Sequence, residues 1–136
     1  MSDLYSMAKI KTLIIGSSPD PTRYSHIAME RLVSHGHWVE GIGRREFFFK
    51  NFFMGRERKD WPDIDTVTMY ISPLHQPEYY AYILSLKPRR IIFNPGTENP
   101  YFAAMAEKEG IEALEACTLV MLSTGQYGAT GVESPS

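Results

Sequence analysis

Short apolar runs alternate along this chain with segments whose apolar positions recur at helical spacing. Lys9 to Ile15 reads as a buried strand, rich in β-branched residues and ended by Gly16. A helix follows, with Ser25 as its expected N-cap, Ile27, Ala28, Arg31 and Leu32 on its pattern, and Gly36 as its stop. His37 to Ile42, Ile64 to Ile71, Arg90 to Phe93 and Ile111 to Ala116 read as four further strands. Pro77 to Leu86 and Pro100 to Glu109 read as helices, stopped by Lys87-Pro88 and by Gly110. Thr118 to Thr124 reads as a last helical turn or two.

Strands that alternate with helices imply a parallel sheet joined by right-handed crossovers. The strands show little polar alternation, as expected where both faces of a sheet are covered. The expected fold class is therefore α/β: one doubly wound domain around a mostly parallel five-stranded sheet. Such a sheet takes its ligand beyond the C-terminal ends of its strands. Here those ends are Gly16-Ser17-Ser18, Gly41-Ile42-Gly43, Ser72-Pro73 and Asn94-Pro95-Gly96-Thr97.

The first of these loops is the most informative. Strand, small-residue turn and helix, in that order, aim backbone N–H groups at an anion, most often a phosphate. Gly16, Ser17 and Ser18 would supply amide and hydroxyl donors, and Arg23 a guanidinium suited to a phosphate. His26, in the first helical turn, is either a surface residue or a neighbour of that phosphate. The loop is not G-x-G-x-x-G, because position 18 is Ser and the helix begins several residues later. That counts against NAD and FAD. Ser72 and Pro73 would form a rigid wall for a base or ribose, and Asn94, Pro95, Gly96 and Thr97 would bring polar groups close to the ligand.

Composition narrows the classes. The chain has 136 residues, enough for one compact domain, and a net charge of −2, which argues against general nucleic-acid binding. No apolar stretch is long enough to span a bilayer. Residues 1–8 are expected to form a flexible N-terminus without the marks of a secretory signal, 9–127 the domain, and 128–136 a flexible tail. The single cysteine, Cys117, rules out an internal disulfide and a cysteine-based zinc cluster, and it fits a reducing cytoplasm. Cys117 reads first as a small buried thiol and only second as a nucleophile. No metal site and no nucleophile–base pair is evident.

Arg44 to Trp61 departs from the pattern. It carries Phe47, Phe48, Phe49, Phe52, Phe53 and Trp61, interleaved with Arg45, Lys50, Arg56, Arg58 and Lys59. The first expectation is an excursion between strands whose aromatics pack on the sheet edge or on a second subunit, with homo-oligomerisation through Phe47–Phe53. A lid that stacks on a purine is the sharper alternative.

Several of these residues together carry a resemblance. Gly16-x-Ser18, Arg23-x-Ser25 and His35-Gly36-His37 are similar to the first βα unit of the small stand-alone bacterial CoA-binding proteins. Asp65-Thr66-Val67 with Tyr70-Ile71-Ser72-Pro73 resembles that family's third strand and the loop after it. Ile92-Phe93-Asn94-Pro95-Gly96-Thr97-Glu98-Asn99 and Glu115-Ala116-Cys117 resemble its later strands. The resemblance runs from Lys9 to Tyr127. It implies a Rossmann-like domain, similar to the N-terminal domain of the succinyl-CoA synthetase α chain, that binds coenzyme A or an acyl-CoA. It implies Gly16, Ser17, Ser18, Arg23, Ser25, Gly43, Ile71, Ser72, Pro73, Asn94, Pro95, Gly96 and Thr97 as the binding residues. A departure lies after the second strand, where Gly41-Ile42-Gly43-Arg44 replaces a Pro-Val-Asn-Pro-like run. A small CoA-dependent enzyme and a protein-interaction domain remain as alternatives.

Overall fold

The structure, a computed structural model, describes residues 9–128. The expected flexible ends, at residues 1–8 and 129–136, lie outside the described residues.

β1 (Lys11–Ser17) runs through the middle of the sheet. β2 (Trp38–Gly43) pairs with one side of it and β5 (Thr66–Met69) with the other, both in parallel. β6 (Arg90–Phe93) and β7 (Glu112–Glu115) extend the parallel sheet beyond β5. On the far side β4 (Phe52–Gly55) pairs in parallel with β2. β3 (Phe47–Phe49) pairs antiparallel with β4 and forms the edge.

The sheet thus has seven strands rather than the expected five. The two additional strands form a hairpin inside the aromatic segment, joined at Lys50-Asn51. Two features hid it. Three consecutive phenylalanines erase the alternation that marks a half-buried strand. The turn also lacks the glycine such loops favour; instead Lys50 itself takes the left-handed conformation, at φ 55°. The expected strand Lys9 to Ile15 ends later than its sequence suggests, because Gly16 and Ser17 remain in β1, across a bulge that breaks the register with β2.

Alternate β1 residues face opposite layers, as strand geometry requires. Leu13 and Ile15 join Val67, Met69, Ile91 and Phe93 beneath α2 (Tyr80–Leu86) and α3 (Pro100–Lys108). Ile14 joins Met29, Leu32, Val39 and Met121 beneath α1 (Tyr24–Ser34) and α4 (Thr118–Ser123). The 3₁₀ turns Pro73–His75 and Pro77–Tyr79 lead into α2. Tyr80 stacks on Phe102 at 4.3 Å, which ties α2 to α3.

α1 begins at Tyr24 with Arg23 as its N-cap, so Ser25 lies in the first turn and is not the cap. Arg23 makes no side-chain capping bond. At the opposite end of the sheet the fully buried Arg90 lies over the Tyr127 ring at 4.4 Å, donates to the Tyr127 carbonyl at 2.8 Å and to Thr66 Oγ1 at 2.9 Å. The Tyr127 hydroxyl is 2.6 Å from Thr12 Oγ1. These contacts fasten the end of the domain onto β1, β5 and β6. They satisfy a buried guanidinium that would otherwise be costly.

Candidate functional site

With the antiparallel β3 set aside, the strand order reverses direction between β1 and β5, and the crevice at such a switch point is where a doubly wound sheet binds ligands. The β1 and β5 loops meet there closely. A Cβ added to Gly16, whose φ is +104°, would lie 2.9 Å from both the Tyr70 carbonyl oxygen and Ile71 Cγ2. Only glycine allows the two loops to touch in this way. The Tyr70 amide donates to the Ile15 carbonyl at 2.8 Å and locks the approach.

The bulge at Gly16 aims Ser17 toward the end of β2. There Gly41 and Gly43 leave the space that its side chain and carbonyl fill. A Cβ on Gly43 would stand 2.1 Å from the Ser17 carbonyl oxygen and 2.8 Å from its hydroxyl. A Cβ on Gly41 would stand 3.0 Å from that hydroxyl. Ser17 is 6% exposed, and its hydroxyl has no hydrogen-bond partner among the described residues. A buried hydroxyl without a partner carries a desolvation cost of about 1–3 kcal/mol. Such a group is an opening for a ligand atom.

The loop beyond Ser17 is partly self-capped. Ser18 Oγ accepts from the Asp20 amide at 3.1 Å, and the Asp20 carboxylate accepts from the Thr22 amide at 2.9 Å and the Thr22 hydroxyl at 2.7 Å. The Thr22 bonds hold the Asp20 carboxyl below its usual pKa. His26 is buried, not a surface residue; its Nδ1 donates to the Ser18 carbonyl at 2.8 Å, and its ring stacks on Phe47 at 6.0 Å and meets Phe49 edge-on at 6.1 Å. The hairpin therefore braces the first turn of α1. The amides of Tyr24 and Ser25, at the start of α1, make no bond within the described residues. Arg23 is exposed beside them, with Nε 4.0 Å from Asp20.

The β6 loop is built differently. Asn94 is buried; its Nδ2 donates to Thr68 Oγ1 at 2.7 Å and to the Met69 carbonyl at 2.8 Å, while its Oδ1 accepts from the Thr118 amide at 2.9 Å. Asn94 thus ties β5, β6 and the start of α4 together. Thr97 returns both its amide and its hydroxyl to the Asn94 carbonyl. The Gly96 amide donates to Glu98 Oε1 at 2.9 Å, and Pro95 is exposed beside it. The donors of this loop are directed into the protein.

Two residues that sequence reasoning passed over join the β5 and β6 loops. Gln76, fully buried, donates to the carbonyls of Ile71 and Thr97 at 3.0 and 2.8 Å. Its Oε1 accepts from Asn99 Nδ2 at 2.9 Å, and Asn99 Oδ1 caps α3 at the Phe102 amide. Asn99 before Pro100 carried a capping signal in the sequence; Gln76 carried none. Ser72 and Pro73 stay exposed at the rim. Tyr70, on the α1–α4 side, points its hydroxyl at Thr118 and Thr68 near Cys117; burial pushes its pKa well up. Cys117 is half-buried, and its carbonyl accepts from the Met121 amide at the start of α4.

The structure therefore brings Gly16, Ser17, Ser18, Arg23, Ser25, Gly43 and Ile71 to one corner. It sets Asn94, Pro95, Gly96 and Thr97 in a neighbouring, internally bonded loop.

The profile of a family described as the CoA binding domain matches residues 11–123. A crystal structure of an uncharacterized protein is 48% identical, covers 88% of this chain and 99% of its own, and superposes with a TM-score of 0.85. A hypothetical protein from Pyrococcus horikoshii (21% identity, 90% of this chain and 87% of that one, TM-score 0.77) shares the fold. So does a protein from Thermus thermophilus (16% identity, 93% and 96%, TM-score 0.77). The search of curated proteins found no match. A Rossmann-like sheet, a glycine-lined corner at its switch point and a family profile over most of its length agree: this chain belongs to the CoA binding domain family.

Proposed function

We propose that the chain binds coenzyme A, or an acyl-CoA, with the phosphates at the β1–α1 corner, and holds the cofactor without transforming it. The observation that carries this reading is the buried Ser17 hydroxyl, which lacks a partner among the described residues and lies over Gly41 and Gly43, in the loop that leads to α1. An anionic oxygen would accept from the Ser17 hydroxyl and from the Tyr24 and Ser25 amides, at the positive end of the helix. Arg23 would supply the countercharge, which also offsets the neighbouring Asp20. Ile71 and the exposed Ser72-Pro73 wall would flank the bound molecule.

The remaining polar groups of the edge support a holding role. Asn94, Thr97, Gln76 and Asn99 are bonded to one another and to backbone, so they keep loops in place. A cytoplasmic setting belongs to the same reading, and the single cysteine fits it. Isothermal titration with CoA at moderate salt tests the reading. The wild-type chain is expected to bind, and Arg23→Ala to bind about tenfold more weakly, the loss of one charge-assisted phosphate contact. No heat from the wild-type chain up to about 1 mM CoA, the weakest affinity worth assigning, would end it.

A further inference from the structure

We propose that the chain pairs with a second copy of itself through the free edge of β3, antiparallel and centred on Phe48, so that one sheet runs through both molecules.

The two edges of the sheet are unlike. β7 places the exposed carboxylates of Glu112 and Glu115 at its ends, a usual protection against strand addition. β3 is Phe47-Phe48-Phe49 and has no outer partner among the described residues. Phe48 is 71% exposed and packs at a tilt, 5.0 Å between ring centroids, on Phe53, itself 37% exposed. Two strands in from the edge, Trp38 at the start of β2 is 45% exposed and packs on Phe52 of β4 at 4.7 Å. Exposed aromatic surface therefore gathers at this margin of the sheet.

The backbone of β3 is poised for one register. The loop between β3 and β4 has two residues, which makes Phe49↔Phe52 a hydrogen-bonded pair. Pairs then alternate, so Phe48↔Phe53 is the non-hydrogen-bonded one, and the N–H and C=O of Phe48 point away from β4. Two copies placed antiparallel about Phe48 exchange those groups as a closed pair, and the arrangement is a twofold one.

The charges choose the same occupant. In this register Phe47 lies opposite Phe49 of the second copy, which brings Glu46, just before β3, to the same end of the pairing as Lys50, just after β3 in the second copy. Both Glu46 and Lys50 are exposed, and neither joins an ion pair among the described residues. The segment Glu46-Phe47-Phe48-Phe49-Lys50 is thus complementary to its own reverse. An unrelated partner would require no such symmetry.

Sedimentation equilibrium of the full chain tests this. The wild-type chain is expected at twice its 15.5 kDa mass. Glu46→Lys alone and Lys50→Glu alone each set like charges at the same end of the pairing, and each should shift the equilibrium toward the single chain. The double exchange Glu46→Lys with Lys50→Glu restores the pairing and should restore the dimer. Phe48→Lys should abolish it while the far-ultraviolet circular dichroism stays that of the folded chain, because Phe48 is exposed, and the melting temperature should lose its dependence on protein concentration. A wild-type chain that keeps the mass of one copy at about 1 mM would overturn the proposal and leave the edge to some other partner. So would a dimer that survives Phe48→Lys, or a double exchange no better than the singles. None of these readouts depends on CoA.

Discussion

At the residue scale the tightest constraint is at position 43. A single added carbon there would lie 2.1 Å from a backbone oxygen, which has no flexible way to yield. Gly43→Ala should therefore destabilise the domain by about 2–3 kcal/mol, measurable by urea unfolding. Ser17→Ala makes the opposite case. The hydroxyl it removes has no partner among the described residues, so the free protein should gain about 1 kcal/mol. Its CoA affinity should fall about tenfold in calorimetry, the value of one hydrogen bond to a charged group. Stabilisation with lost affinity separates a ligand contact from a merely structural serine. The glycines and serines of this corner were legible because only small residues permit close loops. Gln76 was not, because a lone glutamine in sequence gives no hint that it will be enclosed by two loop carbonyls and an asparagine.

At the element scale Asn94 fastens three pieces of chain with three bonds at once. Asn94→Ala would leave the Thr118 amide without its acceptor and open a small void. It should cost about 2–4 kcal/mol in thermal or denaturant unfolding. The strands and helices of the parallel core could be read from periodicity, since burial on both faces makes them continuous apolar runs. The hairpin could not. Its inward residues Phe47, Phe49 and Phe52 and its outward residues Phe48 and Phe53 are the same amino acid, so the pleat leaves no trace in the pattern. The start of α1 shifted for a comparable reason: Ser25 is a good cap by type, but the helix already begins at Tyr24, behind an Arg23 with no capping bond.

At the scale of the whole molecule, the end of the sheet opposite the β1–α1 corner carries the acid sensitivity. His37 is buried against Tyr127, and its Nδ1 accepts from the Ile10 amide at 2.9 Å, a role open only to the neutral ring. Burial, with His35 and Arg90 nearby, lowers its pKa from 6.5 to about 4. Between those values the unfolded chain holds more of the proton, so stability rises with pH. The contribution is complete above pH 6.5 and is lost toward pH 4; it amounts to roughly 3 kcal/mol. Calorimetric unfolding should show the melting temperature falling across that window, and His37→Gln, which keeps an acceptor without the titration, should flatten the fall. At lower pH, Asp65 titrates. Burial raises its pKa, but bonds from Arg89 at 3.0 Å and from Thr66 at 2.6 Å outweigh burial and hold it below 3.8. Its contribution is present above that value and is lost only as pH falls further.

The account turns on where the cofactor's phosphates settle. Amide chemical shifts of the labelled chain during a CoA titration locate them directly. The largest changes should fall on Ser17, Ser18, Tyr24, Ser25 and Gly43, with much smaller ones at Gly96 and Thr97. Shifts that gather anywhere else, or a spectrum that never moves, would contradict it.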